Sequence, residues 1–92
     1  MNYIDPFLRI AMLVSEQIRG ARHALRWTVA DLSARSSVSV STIKRLEASN
    51  GIPALSVRNL SLIQSAFEAA GIEFIGSPDD RPGIRIGPPR EQ

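Results

Sequence analysis

The sequence predicts a mainly α domain that closes on a short C-terminal pair of β-strands, and three observations carry that prediction. Residues 28–47 read as two short helices joined by a tight turn. Leu60, Ile63, Phe67 and Ala70 recur at helical spacing in a longer element. From Ile72 the period changes: Ile72 and Phe74, then Ile84 and Ile86, alternate with Glu73 and Arg85 as in two strands.

In chain order, Asp5-Pro6 is a helix start, a cap followed by proline at the first helical position. Phe7, Leu8, Ile10, Ala11 and Leu13 then make a short apolar helix or strand over 5–13. Met12 offers a second start, with residues 1–11 as an extension; the residues leave both readings open. Ser15 begins a clearer helix, with Glu16 and Gln17 suited to its first turn and Ile18, Ala21 or Arg22, and Leu25 on one face. Thr28 caps a helix over 29–35, and Ser39 caps the next, over 39–48. Ser49-Asn50-Gly51 is a turn, Ser56 caps a helix over 57–70, and Gly71 ends it in the left-handed conformation. Residues 76–83 read as a loop rather than a tight hairpin, and 88–92 as a disordered tail. The organisation expected is therefore 1–14 as an extension or short helix, 15–71 as the helical domain and 72–87 as the strand pair.

Within residues 28–47, Leu32, Val38, Ile43 and Leu46 are spaced six, five and three apart. That spacing lets two steeply crossed helices share one small core. Ser41, Thr42, Lys44 and Arg45 then point outward, on a helix narrow enough for a DNA major groove. The pattern is a helix-turn-helix, and it makes double-stranded DNA the leading partner.

Composition narrows the alternatives. Ninety-two residues make one domain with a modest core. No cysteine is present, which removes disulfides and thiolate metal sites and suits a reducing cytoplasm. No apolar run approaches the roughly 20 residues that span a bilayer. Net charge is only +2, but residues 15–58 hold seven Lys and Arg against three Asp and Glu, and residues 59–92 hold three against five. A basic half beside an acidic half suits a DNA-facing surface with an opposite face turned away. His23 has no cysteine or carboxylate cluster beside it in sequence, so an enzyme, a cofactor or a metal is not expected.

The chain resembles the phage-repressor-like, Cro and Xre type helix-turn-helix family over residues 15–75. The resemblance rests on Glu16-Gln17-Ile18-Arg19, Trp27-Thr28, Leu32, Val38-Ser39, Ile43, Leu46-Glu47, Pro53 and the run from Ala69 to Ile75. The tail is similar to that of small stand-alone members, with Gly-Val-Glu-Phe and Gly-Val-Arg-Leu segments after the helices. Ser37 and Arg26 stand where glycines are common, Ser33 where alanine is usual, and Val29 where many relatives carry a glutamine that touches a phosphate. The resemblance implies a lambda-repressor-like DNA-binding domain of four to five helices with a short C-terminal β-hairpin.

The candidate DNA-binding residues are Thr28, Ser39, Val40, Ser41, Thr42, Lys44, Arg45 and Asn50. Hydroxyls of Ser39, Ser41 and Thr42 can pair with several bases, and Val40 can touch a thymine methyl. Lys44 and Arg45 suit phosphate or a guanine edge. Thr28, at a helix N-terminus, can hold a phosphate through its hydroxyl and backbone N–H groups. For Asn50 a contact with the DNA backbone is implied by the resemblance. Arg19 and Arg22 can flank the DNA backbone but are assigned to solubility, Trp27 to core packing, and Glu47 to an internal bond, with Arg35 as its expected partner. The function expected is a sequence-specific transcriptional regulator, a repressor that binds a palindromic operator as a homodimer through residues 72–87. On that reading a protein ending at Gly71 is a folded helical monomer. The second reading is an antitoxin, binding DNA and a toxin protein that its tail masks.

Overall fold

A computed structural model describes residues 13–90. The expectations for the segment before Leu13 and for the last two residues lie outside the described residues. Among the described residues four helices, α1 (Ser15–Ala24), α2 (Val29–Ser36), α3 (Val40–Glu47) and α4 (Val57–Ala69), precede an antiparallel pair, β1 (Ile72–Ser77) and β2 (Asp80–Ile86). The mainly α domain with a C-terminal hairpin is thus present.

Hydroxyl caps set three of the four helix starts. Thr28 Oγ1 accepts from the Asp31 N–H at 2.9 Å, Ser39 Oγ from Thr42 at 3.2 Å, and Ser56 Oγ from Asn59 at 3.1 Å. Ser15 opens α1 as expected, but the residue before it, Val14, has no side-chain acceptor. Gln17 compensates, its Oε1 accepting from the Val14 N–H at 2.9 Å.

Ile18, Ala21, Leu32, Val38, Ile43, Leu46, Leu60, Ile63, Phe67 and Ile72 form one buried core. Trp27 stacks on Phe67 at 5.5 Å between ring centroids, and Phe74 meets Phe67 edge-on at 6.0 Å. Trp27 therefore has the packing role expected of it.

The strands run further than the alternation suggested. Pairing of Ile72 with Ile86 continues to Ser77 with Asp80, so the 76–83 stretch is hairpin, and Pro78-Asp79 is the turn. The pattern was hidden by a bulge, with Gly76 at φ +78° and Arg81 at φ +49°. A Cβ at Gly76 would collide with the Arg81 carbonyl. The hairpin is pinned to α1 by one side chain: Gln17 Nε2 donates to the Ile75 carbonyl at 3.0 Å and the Gly83 carbonyl at 2.9 Å. Residues 88–90, expected to be disordered, return to the helices, where the Arg90 N–H bonds the Ala69 carbonyl at 3.0 Å.

Arg26 (φ +58°) and Ser37 (φ +64°) both hold left-handed backbone, at the two positions where the family resemblance would place glycine. Each Cβ strains that conformation. Arg26→Gly and Ser37→Gly should each raise the unfolding free energy by about 0.5–1 kcal/mol, the relief of strain exceeding the added freedom of the unfolded chain. Urea unfolding of the two variants checks this.

Candidate nucleic-acid interface

Helix α3 sorts its side chains sharply. Ile43 and Leu46 are buried, while Ser41, Lys44 and Arg45 are exposed and Val40 is 37% exposed. Thr42 is half-buried. Its Oγ1 accepts from Ser39 Oγ at 2.8 Å, and Ser41 Oγ lies 3.3 Å from Ser39 Oγ. Ser39 is thus committed to capping; Ser41 turns its hydroxyl hydrogen to Ser39 and keeps its oxygen as an exposed acceptor, while the Thr42 hydroxyl keeps its hydrogen. Lys44 and Arg45 form no ion pair among the described residues.

The turn between α2 and α3 is Ser37-Val38-Ser39. The left-handed Ser37 ends α2, its N–H bonding the Ser33 carbonyl at 2.9 Å. Buried Ser36 accepts from the Val38 N–H at 3.2 Å, and Val38, 2% exposed, plugs the corner. These contacts fix α3 relative to α2.

Thr28 is more committed than its sequence position suggests. Its N–H donates to Asp31 Oδ2 at 2.8 Å while its hydroxyl accepts from the Asp31 N–H. Hydrogen bonds from the Thr28 backbone N–H and then from its side chain hold the Asp31 carboxyl below its ordinary range, with a smaller contribution from the Arg35 charge. The α2 N-terminus therefore carries its own anion, and both the N–H and the hydroxyl of Thr28 are engaged with Asp31.

Arg19 and Arg22 are the residues that sequence reasoning missed. Arg22 makes a two-pronged pair with Glu47, Nη2 to Oε1 at 2.7 Å and Nε to Oε2 at 2.8 Å, and donates through Nη1 to the Trp27 carbonyl at 2.9 Å. Its side chain is 13% exposed and that of Glu47 is 9%. Arg19 caps the end of α3, donating to the carbonyls of Glu47 (2.9 Å) and Ser49 (2.7 Å), and holds Asn50 Oδ1 at 2.7 Å. Both are structural anchors rather than solubilising groups, and Arg22, not Arg35, is the partner of Glu47. Arg35 instead lies over the Trp27 ring, 4.5 Å from its centroid. The missed signal was positional: Arg22 borders the Ile18–Ala21 stripe as Glu47 borders that of Ile43 and Leu46. Opposite charges at the edges of two facing stripes meet when the helices pack.

The turn after α3 is tied to α1 twice more: the Ser15 N–H bonds the Gly51 carbonyl at 2.8 Å, and the Gly51 N–H bonds Glu16 Oε1 at 2.9 Å. That second bond leads the causes that keep the Glu16 carboxyl below its ordinary range. Asn50 is thereby presented on a braced loop, with its amide N–H groups uncommitted.

Among the described residues no group of His, Cys, Asp and Glu could hold a metal ion, and no helix is long and apolar enough to cross a membrane. Scans against protein-family models, curated proteins and solved structures found no match for this chain.

Proposed function

We propose that this protein is a sequence-specific DNA-binding transcriptional regulator, a repressor that reads a palindromic operator as a homodimer. The observation that carries the reading is α3. An exposed row of Val40, Ser41, Lys44 and Arg45 backs onto buried Ile43 and Leu46, on a helix braced at its start by the Ser37 corner and at its end by Arg19 and Arg22. Such a rigid polar helix can enter a major groove, with hydroxyls for base edges and charges for phosphates. The lambda-repressor-like fold and the roles of Thr28, Ser39, Thr42 and Asn50 belong to the same proposal, Ser39 acting through the position of the helix.

Selection of bound duplexes from a random pool tests it directly: enrichment of a two-fold symmetric site is expected, and no enrichment would sink the reading. Lys44→Ala and Arg45→Ala should weaken binding to all sequences. Each cation withdrawn from a phosphate should flatten the log–log salt dependence by roughly 0.9. Ser41→Ala should instead change which bases are preferred.

Dimerisation is proposed at the hairpin, where Ile86 is 63% exposed and the sheet, two-stranded among the described residues, leaves strand edges unpaired by them. Two-fold pairing there would set the recognition helices about 34 Å apart. Ile86→Lys should shift sedimentation from dimer to monomer without loss of helix, and a Lys variant that stays dimeric places the interface elsewhere. The antitoxin reading gains nothing from the tail, because Ile72 is buried and Phe74 and Ile84 pack on the protein's own core.

A further inference from the structure

Away from α3, a half-open cavity of about 450 Å³ lies between the α1–α2 corner, α2 and α4. Its volume falls within the range of roughly 300–1,000 Å³ typical of small-molecule sites. Leu25 and Trp27 form one wall. Ala66 and Ala69 of α4 and Ala70 just after it form another, their short side chains leaving the space open, and Pro89 of the returning tail borders it. The Trp27 ring is held in place by its stack on Phe67, and its backbone by the bond of the main-chain N–H to the Arg22 carbonyl at 3.0 Å.

One charged group, Arg35, lines this otherwise apolar cavity among the described residues. Its guanidinium sits 4.5 Å over the Trp27 ring and forms no ion pair among the described residues. Asp31, the nearest acid on α2, has its carboxylate hydrogen-bonded to the Thr28 N–H and reaches Arg35 only by its charge. The cation therefore keeps outward N–H groups at the edge of an aromatic-walled space. We propose that this cavity binds a small apolar carboxylate, its carboxylate on the Arg35 guanidinium and its hydrocarbon body against Trp27 and the α4 alanines. A planar guanidinium fits a carboxylate with two parallel bonds. Apolar walls disfavour strongly hydrated anions such as free phosphate.

Trp27 is the sole tryptophan, so its fluorescence reports the cavity without a label. The full-length protein is titrated with phenylacetate, with neutral phenylacetamide and with phenethylamine. A saturable change with phenylacetate is expected, with Kd on the order of 1 mM for a ligand of this size. Phenylacetamide should bind about tenfold more weakly and the amine more weakly still. Arg35→Gln should erase the preference for the carboxylate over the amide. Ala66→Leu and Ala69→Leu should each fill the space and abolish saturation, with far-UV circular dichroism identifying which variants keep the fold. A purely linear response, equal binding of acid and amide, or saturation that survives in a folded leucine variant overturns the proposal. So does silence of the wild-type protein. The titration contains no DNA, so its result stands apart from the nucleic-acid reading.

Discussion

A protein that ends at Gly71 is expected to lose its cooperative fold, not merely its ability to dimerise. Ile72, 1% exposed, belongs to the same buried core as Ile18 and Phe67, and Phe74 and Ile84 pack against that core. Returning three such side chains to water costs about 5 kcal/mol or more, against about 5–15 kcal/mol for the stability of an entire domain. Truncation also removes the Ile75 and Gly83 carbonyls that satisfy Gln17, itself 4% exposed. A buried amide without acceptors adds about 1–3 kcal/mol. Far-UV circular dichroism and urea unfolding check this. A truncated protein with full helical signal and an unchanged midpoint would show that the four helices stand alone. The consequence for function is direct: poor DNA binding after truncation says nothing about dimerisation, which a point change such as Ile86→Lys can isolate.

The sequence pattern pointed instead to a helical monomer after Gly71, and the two expectations differ for a physical reason. Alternation in a sequence shows that Ile72, Phe74, Ile84 and Ile86 share a face of the hairpin, but not what that face meets. The cross-strand partners bear this out: Ile72 opposite Ile86 and Phe74 opposite Ile84. The helices cover most of that face and leave Ile86 at its end. Periodicity located α1, α2, α3 and α4 to within a residue or two, because each has a buried stripe and three have a hydroxyl cap. It also located the outward row of α3. What it could not reach were contacts between residues far apart in sequence. Gln17 looks like an ordinary polar residue in a first helical turn, yet it is buried and joins α1 to the hairpin. Arg19 and Arg22 look like surface charge, yet they hold the end of α3. Each depends on which helices meet, information that no local spacing contains.

Glu47→Ala is the second large effect expected, and it tests whether the brace behind α3 matters to the site as well as to the fold. The substitution removes both carboxylate acceptors of the Arg22 fork and leaves a guanidinium, 13% exposed, with no anion beside it, its remaining partners the Trp27 carbonyl and a long contact to His23 Nε2 at 3.4 Å. Removing one member of a buried pair costs about 3–5 kcal/mol, and the remaining exposure of this pair places the loss near the lower figure. Replacing both residues by apolar ones of similar length, Arg22→Met with Glu47→Leu, should recover most of that stability, since no charge is then stranded. The double variant separates two roles. Arg19 still bonds the Glu47 backbone carbonyl in it, because that bond does not involve the Glu47 side chain. If the Arg22–Glu47 fork only stabilises, the double variant should bind a selected operator as the wild type does. If the fork also sets the angle of α3, the double variant should melt normally yet discriminate operator from random DNA less sharply. Urea midpoints and the ratio of specific to non-specific affinity, measured at one salt concentration, distinguish these results. A Glu47→Ala protein with an unchanged midpoint would remove the fork from the first role, and one with unchanged discrimination would remove it from the second.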